Sequence, residues 1–221
     1  MTPLAAAVAV AFAILGVVAE RVASVWPTDE ASRRGLGPRT ILLAFGAGLA
    51  GGAVAWRSTL PLWGTLVYLA FLAVLVLLAA TDLEQRRLPH LLLDPLIVGS
   101  LLFVPFNPAI DPRDAMIGAV AGVAILGLLA LVVRGGLALG DLYLVGPLGL
   151  LLGFPAIIGA LFLAALLVAA TSLGLLAAKR VGMRSYVPFG PFLVAGTVLT
   201  LLRDPDILGR VAAGAAALFV R

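Results

Sequence analysis

The chain has no cysteine and a single histidine, His90, in 221 residues. Without cysteine there are no disulfides, no zinc–thiolate centre and no thiol nucleophile. One histidine argues against a multi-histidine metal site and against a Ser-His triad. No Gly-x-Ser-x-Gly elbow is present either. No metal and no cofactor is therefore expected. Charge is also scarce: 12% of residues are Asp, Glu, Lys or Arg, against about 25% in soluble domains.

What fills the chain instead is apolar. The hydrophobic fraction is 62% and the mean hydropathy is +1.17. Several uncharged runs reach about 18–20 residues, enough to cross the hydrocarbon core as a helix. The expected fold is all-α: one polytopic transmembrane bundle over residues 1–221, with about eight or nine apolar segments and no separate soluble domain. Its 25 glycines suit close helix packing in lipid. Gly48/Gly52 and Gly118/Gly122 have small-xxx-small spacing. The net charge of +4 is carried by basic residues scattered in ones and twos. That pattern fits basic loops beside a bilayer and excludes a nucleic-acid stripe.

In chain order, residues 1–25 read as a first spanning helix, since no basic n-region precedes the apolar run. A polar loop over 27–39 follows, then spans at about 40–56 and 61–82. A loop over 83–89 carries Glu84, Arg86 and Arg87, and Pro89 opens the next helix. Spans at about 90–105 and 115–133 flank a turn rich in proline. Within 90–105, Asp94-Pro95 reads as an N-cap, and Asp114 as the cap of the span after it. His90 reads as a polar residue in a first helical turn, and Glu20 as paired with a basic neighbour. Apart from Asp141, residues 140–178 are apolar. Gly153-Phe154-Pro155 should divide them into a short helix and a long one. Another span covers about 187–202, with Pro188 and Pro191 in its first turn, and a last helix covers about 207–220.

Loop charges set the orientation. With loop 26–39 inside and a crossing at every segment, eleven Lys/Arg lie on one side and four on the other. The N-terminus is then outside and the C-terminus inside. Asp82 and Asp141 both fall at cytoplasmic helix ends, at one depth.

A carboxylate at a membrane edge is costly unless solvated or partnered. Either aspartate alone could be a solvated helix cap. Two at the same depth can share a proton, one ionised and one protonated. The ionised one takes a proton from a water that attacks a peptide carbonyl. The protonated one polarises that carbonyl and later donates to the leaving nitrogen. Gly140, next to Asp141, would let backbone come close to the partner aspartate or to a substrate.

Three stretches carry a family resemblance. Asp82-Leu83-Glu84-Gln85-Arg86-Arg87-Leu88-Pro89 resembles the first aspartate motif, D-x5-L-P, of the bacterial type IV prepilin peptidases. These are membrane aspartic proteases of the GxGD type. Ala138-Leu139-Gly140-Asp141 resembles the second motif, G-x-G-D. Residues Tyr186 to Gly196, with Pro188-Phe189-Gly190-Pro191, resemble the C-terminal P-[FY]-G-P-F-L-A-x-G signature. Ala138 stands where the family has glycine, Tyr143 where lysine often follows, and His90 where Asp or Asn is usual.

The resemblance covers roughly residues 60–200. It implies an aspartic endopeptidase that removes the short basic leader of prepilins or pseudopilins at the cytoplasmic face of the cell (inner or plasma) membrane. Asp82 and Asp141 would be the catalytic pair, with Gly140, Pro89, Pro188, Gly190 and Pro191 in support. Pro188 to Pro191 would form a broken helix near the site. Glu84 would attract the basic leader. Residues 27–39 are too short for the cysteine-bearing insert of the longer enzymes, so the family's N-methylation is not expected. A homo-oligomer is compatible with this reading. Two other functions stay open: a catalytically impaired homologue acting in assembly, and a proton-coupled transporter using Asp82, Asp94 or Asp141 as a relay.

Overall fold

The computed structural model describes residues 2–26, 35–132, 138–179 and 187–203. Within them are eight α-helices and one 3-10 turn: α1 (Pro3–Ala23), α2 (Pro38–Arg57), α3 (Leu62–Gln85), α4 (His90–Phe103), the turn Val104–Phe106, α5 (Pro112–Val132), α6 (Leu139–Leu152), α7 (Ala156–Ala177) and α8 (Gly190–Arg203). No strand occurs among the described residues. The last expected helix, 207–220, lies outside them. So do the loop residues Arg33, Arg34, Arg134, Arg180 and Arg184.

Helix boundaries follow local chemistry. Thr2 caps α1, its hydroxyl accepting from the Ala5 N–H at 3.3 Å, with Pro3 in the first turn. Pro38 opens α2, where the Thr40 hydroxyl accepts the Gly37 N–H at 3.2 Å. Prolines suit such positions because their missing N–H would have no helical partner. Between α6 and α7 the chain turns at Gly153, whose φ of 70° is a backbone state that favours glycine. The Phe154 N–H then donates to Asp114 O at 2.9 Å, fixing this turn to the start of α5.

Five helices (α1, α2, α3, α5 and α7) are long and apolar enough to cross a membrane. The chain is a multi-pass membrane protein by this measure. The shorter α4, α6 and α8 have 14 residues each. At 1.5 Å per residue each is about 21 Å long, less than a hydrocarbon core of about 30 Å.

Helix α3 is the hub, packing against α1, α2, α4 and α8. It is apolar all round because it is buried on two sides. Leu75 and Leu78 join one core with Leu93, Leu96, Leu144 and Leu148. Leu69, Leu72 and Val76 join a second core with Phe12, Ala47 and Val54. Small residues let neighbouring backbones approach. Gly48 lies against Ala9 and Ala13, Gly52 against Ala5 and Ala9, and Gly118 against Gly149 and Gly153. Toward the N-terminal end of α3, the buried Tyr68 hydroxyl donates to Leu151 O at 3.1 Å and accepts from Asn107 Nδ2 at 3.1 Å.

Two expected caps are different. Asp94 does not cap α4: Pro89 holds that position, and Asp94 lies a full turn inside the helix. Its Oδ1 is 3.3 Å from Nδ1 of His90, one turn earlier on the same face. At α5 the cap belongs to Asp111, whose carboxylate accepts the Arg113 N–H at 2.8 Å, while Asp114 sits in the first turn. In both places the competing residue, Pro89 at α4 and Asp111 at α5, is only a few positions away, so sequence alone does not separate the choices. Glu20 is paired as expected, 3.5 Å from Arg21 Nε.

Candidate active site

Three helix ends meet at one end of the bundle: the C-terminal turn of α3, the N-terminal turn of α6 and the N-terminus of α8. Each brings one part of the site. Helix α3 runs to Gln85, so Asp82 lies one turn from its end. Asp141 is the third residue of α6. Its Oδ2 accepts the Ala138 N–H at 3.1 Å, and its own N–H donates to Ala138 O at 3.0 Å. This is the reach-back half of a capping box. A carboxylate is also favoured at the positive end of a helix.

Asp82 Oδ2 accepts the Gly190 N–H, the first of α8, at 3.0 Å. A Cβ on Gly190 would stand 2.7 Å from that same oxygen. Only a glycine lets the backbone come this close without displacing the aspartate. Asp82 is 5% exposed and Asp141 2%. The two are close enough for the charge of Asp141 to act on Asp82, as does that of Arg86. Buried carboxylates without cations at contact distance are expensive, so the two backbone N–H donors are part of what holds them.

Asp82 lies in the wall of a cleft of about 550 Å³. Arg86, Arg87, Leu88, Pro89, His90, Gly140 and Tyr143 also line it. Asp141 is beside the cleft and not in its wall. The rings of His90 and Tyr143 meet edge-on at 5.5 Å, joining the start of α4 to the first turn of α6. Among the described residues no group of three His, Asp or Glu could hold a metal ion.

The supporting residues take particular places. Gly140 faces Leu88, whose Cδ1 and Cβ would lie 3.0 and 3.1 Å from an added Cβ. Its open space is filled by the other aspartate motif, not by Asp82 itself. Pro89 caps α4. Pro191 is in the first turn of α8, and Pro188 precedes that helix. Ala138 has φ −87° and ψ 150°, ordinary extended backbone open to any residue.

Glu84 is not a loop charge facing water. It belongs to the last turn of α3, its side chain is 12% exposed, and Arg39 Nη1 holds it at 2.7 Å. The neighbouring Gln85 donates to Ala23 O at 2.8 Å. These contacts tie α1 and α2 to the aspartate end of α3. Arg39 and Gln85 are structural anchors of the site that no local pattern marks, because their partners lie 45 and 62 residues away.

The fold and site define a multi-pass helical membrane protein with two buried aspartates at one end of its central helix. Known proteins share this stretch. The model of the type IV leader peptidase family matches residues 69–173, which hold both aspartates. The prepilin leader peptidase/N-methyltransferase of Aeromonas hydrophila is 37% identical over 159 residues, 69% of this chain and 55% of that protein. The protein of the same description from Burkholderia pseudomallei (strain K96243) is 36% identical over 178 residues, 76% of this chain and 56% of that one. That of Bacillus subtilis (strain 168) is 29% identical over 145 residues, 62% and 56%. The similarity of this chain to the type IV leader peptidase family rests on residues 69–173. It spans about half the length of the curated relatives it matches. No solved structure matches it significantly.

Proposed function

We propose that this chain is a membrane aspartic endopeptidase that removes the short basic leader from a prepilin or pseudopilin, with Asp82 and Asp141 as the catalytic pair. The observation that carries the reading is the approach of these two buried carboxylates beside a cleft, in a segment shared with named prepilin leader peptidases.

The chemistry needs only these two groups and water. One carboxylate is ionised and the other protonated. The ionised one takes a proton from water as the water oxygen bonds to the peptide carbonyl carbon. The protonated one gives its proton to the carbonyl oxygen, leaving a neutral diol. A carboxyl proton then passes to the amide nitrogen and the C–N bond breaks. A diol proton returns to the carboxylate, restoring the pair. The Gly190 and Ala138 N–H groups hold one oxygen of each carboxylate. Such fixed donors require little reorganisation during reaction.

The loop charges support an orientation with the aspartate end cytoplasmic, where a leader preceding a hydrophobic helix would be presented. The apolar walls at Leu88, Pro89 and Tyr143 suit the start of such a helix. The test is incubation of the purified, lipid-reconstituted chain with a precursor carrying a basic leader, with release of the leader followed by mass spectrometry. Cleavage at the leader junction is expected. An intact precursor under conditions where the chain is folded contradicts the reading.

A further inference from the structure

A second polar feature lies at the other end of α8. Gly190 begins this helix on Asp82, and Arg203 ends it, about 20 Å further along the axis at 1.5 Å per residue. Here α7 and α8 enclose a groove of about 380 Å³. Its walls are Pro155, Gly159, Phe162 and Leu163, and Thr200 and Arg203 supply its polar atoms.

Two observations on this groove are independent. The Thr200 side chain is 7% exposed, yet its Oγ1 has no hydrogen-bond partner. A buried hydroxyl left unpaired costs about 1–3 kcal/mol, and a helical threonine normally avoids this by bonding to the carbonyl one turn back. Thr197, on the same helix, does so with Leu193 O at 2.9 Å. Arg203 is exposed and makes no hydrogen bond or ion pair among the described residues. The space above Gly159 is open: only Thr200 Oγ1 comes within 4.0 Å of an added Cβ. Phe162, on the outer wall, is 67% exposed.

We infer that the α7–α8 groove binds an anionic phospholipid, at the membrane face opposite the aspartate pair. The occupant follows from the chemistry of the lining. Apolar walls take an acyl chain. The Thr200 hydroxyl donates to an ester carbonyl, which is the acceptor found at that depth of a lipid. The Arg203 guanidinium pairs with the phosphate, bidentate by geometry. A zwitterionic lipid offers the same phosphate with a neutralising ammonium, so the site prefers a headgroup carrying net negative charge.

The experiment uses the full chain in detergent, with phosphatidylglycerol and phosphatidylcholine as probes. Native mass spectrometry counts bound lipids, and thermal unfolding measures the gain each lipid confers. Wild type is expected to retain phosphatidylglycerol in preference to phosphatidylcholine. Arg203→Gln should lower phosphatidylglycerol affinity about fivefold, the effect of one basic side chain near a lipid surface. Thr200→Val should also lower it. In lipid-free detergent Thr200→Val should leave stability unchanged or raised, since it removes an unpaired polar atom. Gly159→Leu, which fills the groove, should abolish the preference. Leader cleavage in detergent should be unaltered in all three, so the lipid site and the peptidase reading fail separately. Equal retention of both lipids by wild type and Arg203→Gln overturns the proposal. So does a lipid-independent loss of stability in Arg203→Gln, which would mean that another part of the chain uses this arginine. A dimer that Gly159→Leu dissociates would assign the groove to a second copy and overturn it equally.

Discussion

The N–H of Gly190 donates to Oδ2 of Asp82 across 3.0 Å, and an added Cβ at Gly190 would meet that oxygen at 2.7 Å. One residue thus supplies a hydrogen bond and the room to make it. Gly190→Ala must push the carboxylate away by several tenths of an ångström. Displacement of a reacting group by about 1 Å can cost about a hundredfold in rate, which is the upper bound here. The expected outcome is a fall in kcat for leader cleavage of up to about a hundredfold, with the far-ultraviolet helical spectrum retained. An unchanged kcat would mean that Asp82 does not depend on this contact.

Gly140 and Leu88 lock the two aspartate motifs together. Gly140→Ala brings a Cβ to within 3.0 Å of Leu88 Cδ1. Overpacking of this kind costs about 1–3 kcal/mol. The midpoint of thermal unfolding should fall and cleavage should slow. Shortening the neighbour, in the double variant Gly140→Ala with Leu88→Val, should recover part of both. No recovery in the double variant would place the effect of Gly140 elsewhere.

Ala138 departs from the family's glycine, yet its backbone is extended and it still donates its N–H to Asp141. Ala138→Gly keeps the donor and adds only backbone freedom, a cost of about 0.5–1 kcal/mol. Cleavage by this variant should equal or fall slightly below wild type. A large gain in activity would show that the alanine impairs the site.

Glu84 has its carboxylate held by Arg39 at 2.7 Å with little exposure. It is expected to brace α3 against α2 and not to attract the substrate. A double-mutant cycle with Arg39→Ala and Glu84→Ala should give a coupling of no more than about 1 kcal/mol, since Arg39 is largely exposed. Glu84→Gln should leave KM for the precursor unchanged at low and at high salt. A KM that rises in low salt and converges with wild type in high salt would restore the role in leader attraction.

Much of this architecture can be read from the chain. The uncharged runs mark α1 to α8 to within a few residues, and Gly153-Phe154-Pro155 marks the break between α6 and α7. Arg86 shows where such reading stops. It ends α3 in a left-handed conformation, φ 54°, which a non-glycine residue adopts only in a particular setting, so the loop expected from residue 83 begins three residues later. Asp94 was ambiguous for a similar reason: Asp-Pro can start a helix or sit one turn inside it, and Pro89 takes the cap first. The contacts that hold the site, Gly190 to Asp82 and Leu88 to Gly140, join residues 108 and 52 positions apart. Their residues stand in recognisable motifs, but the contact itself comes from packing around α3.

The central claim is that Asp82 and Asp141 act as one catalytic unit. It is tested most directly by leader cleavage with Asp82→Asn, Asp141→Asn and the double variant, each reconstituted in lipid and shown to be folded. Groups that work as a unit lose activity together. Each single variant should be as inactive as the double one, by at least about a thousandfold. If either single variant cleaves the precursor at the wild-type rate, or if the two losses simply multiply in the double variant, the paired mechanism is contradicted.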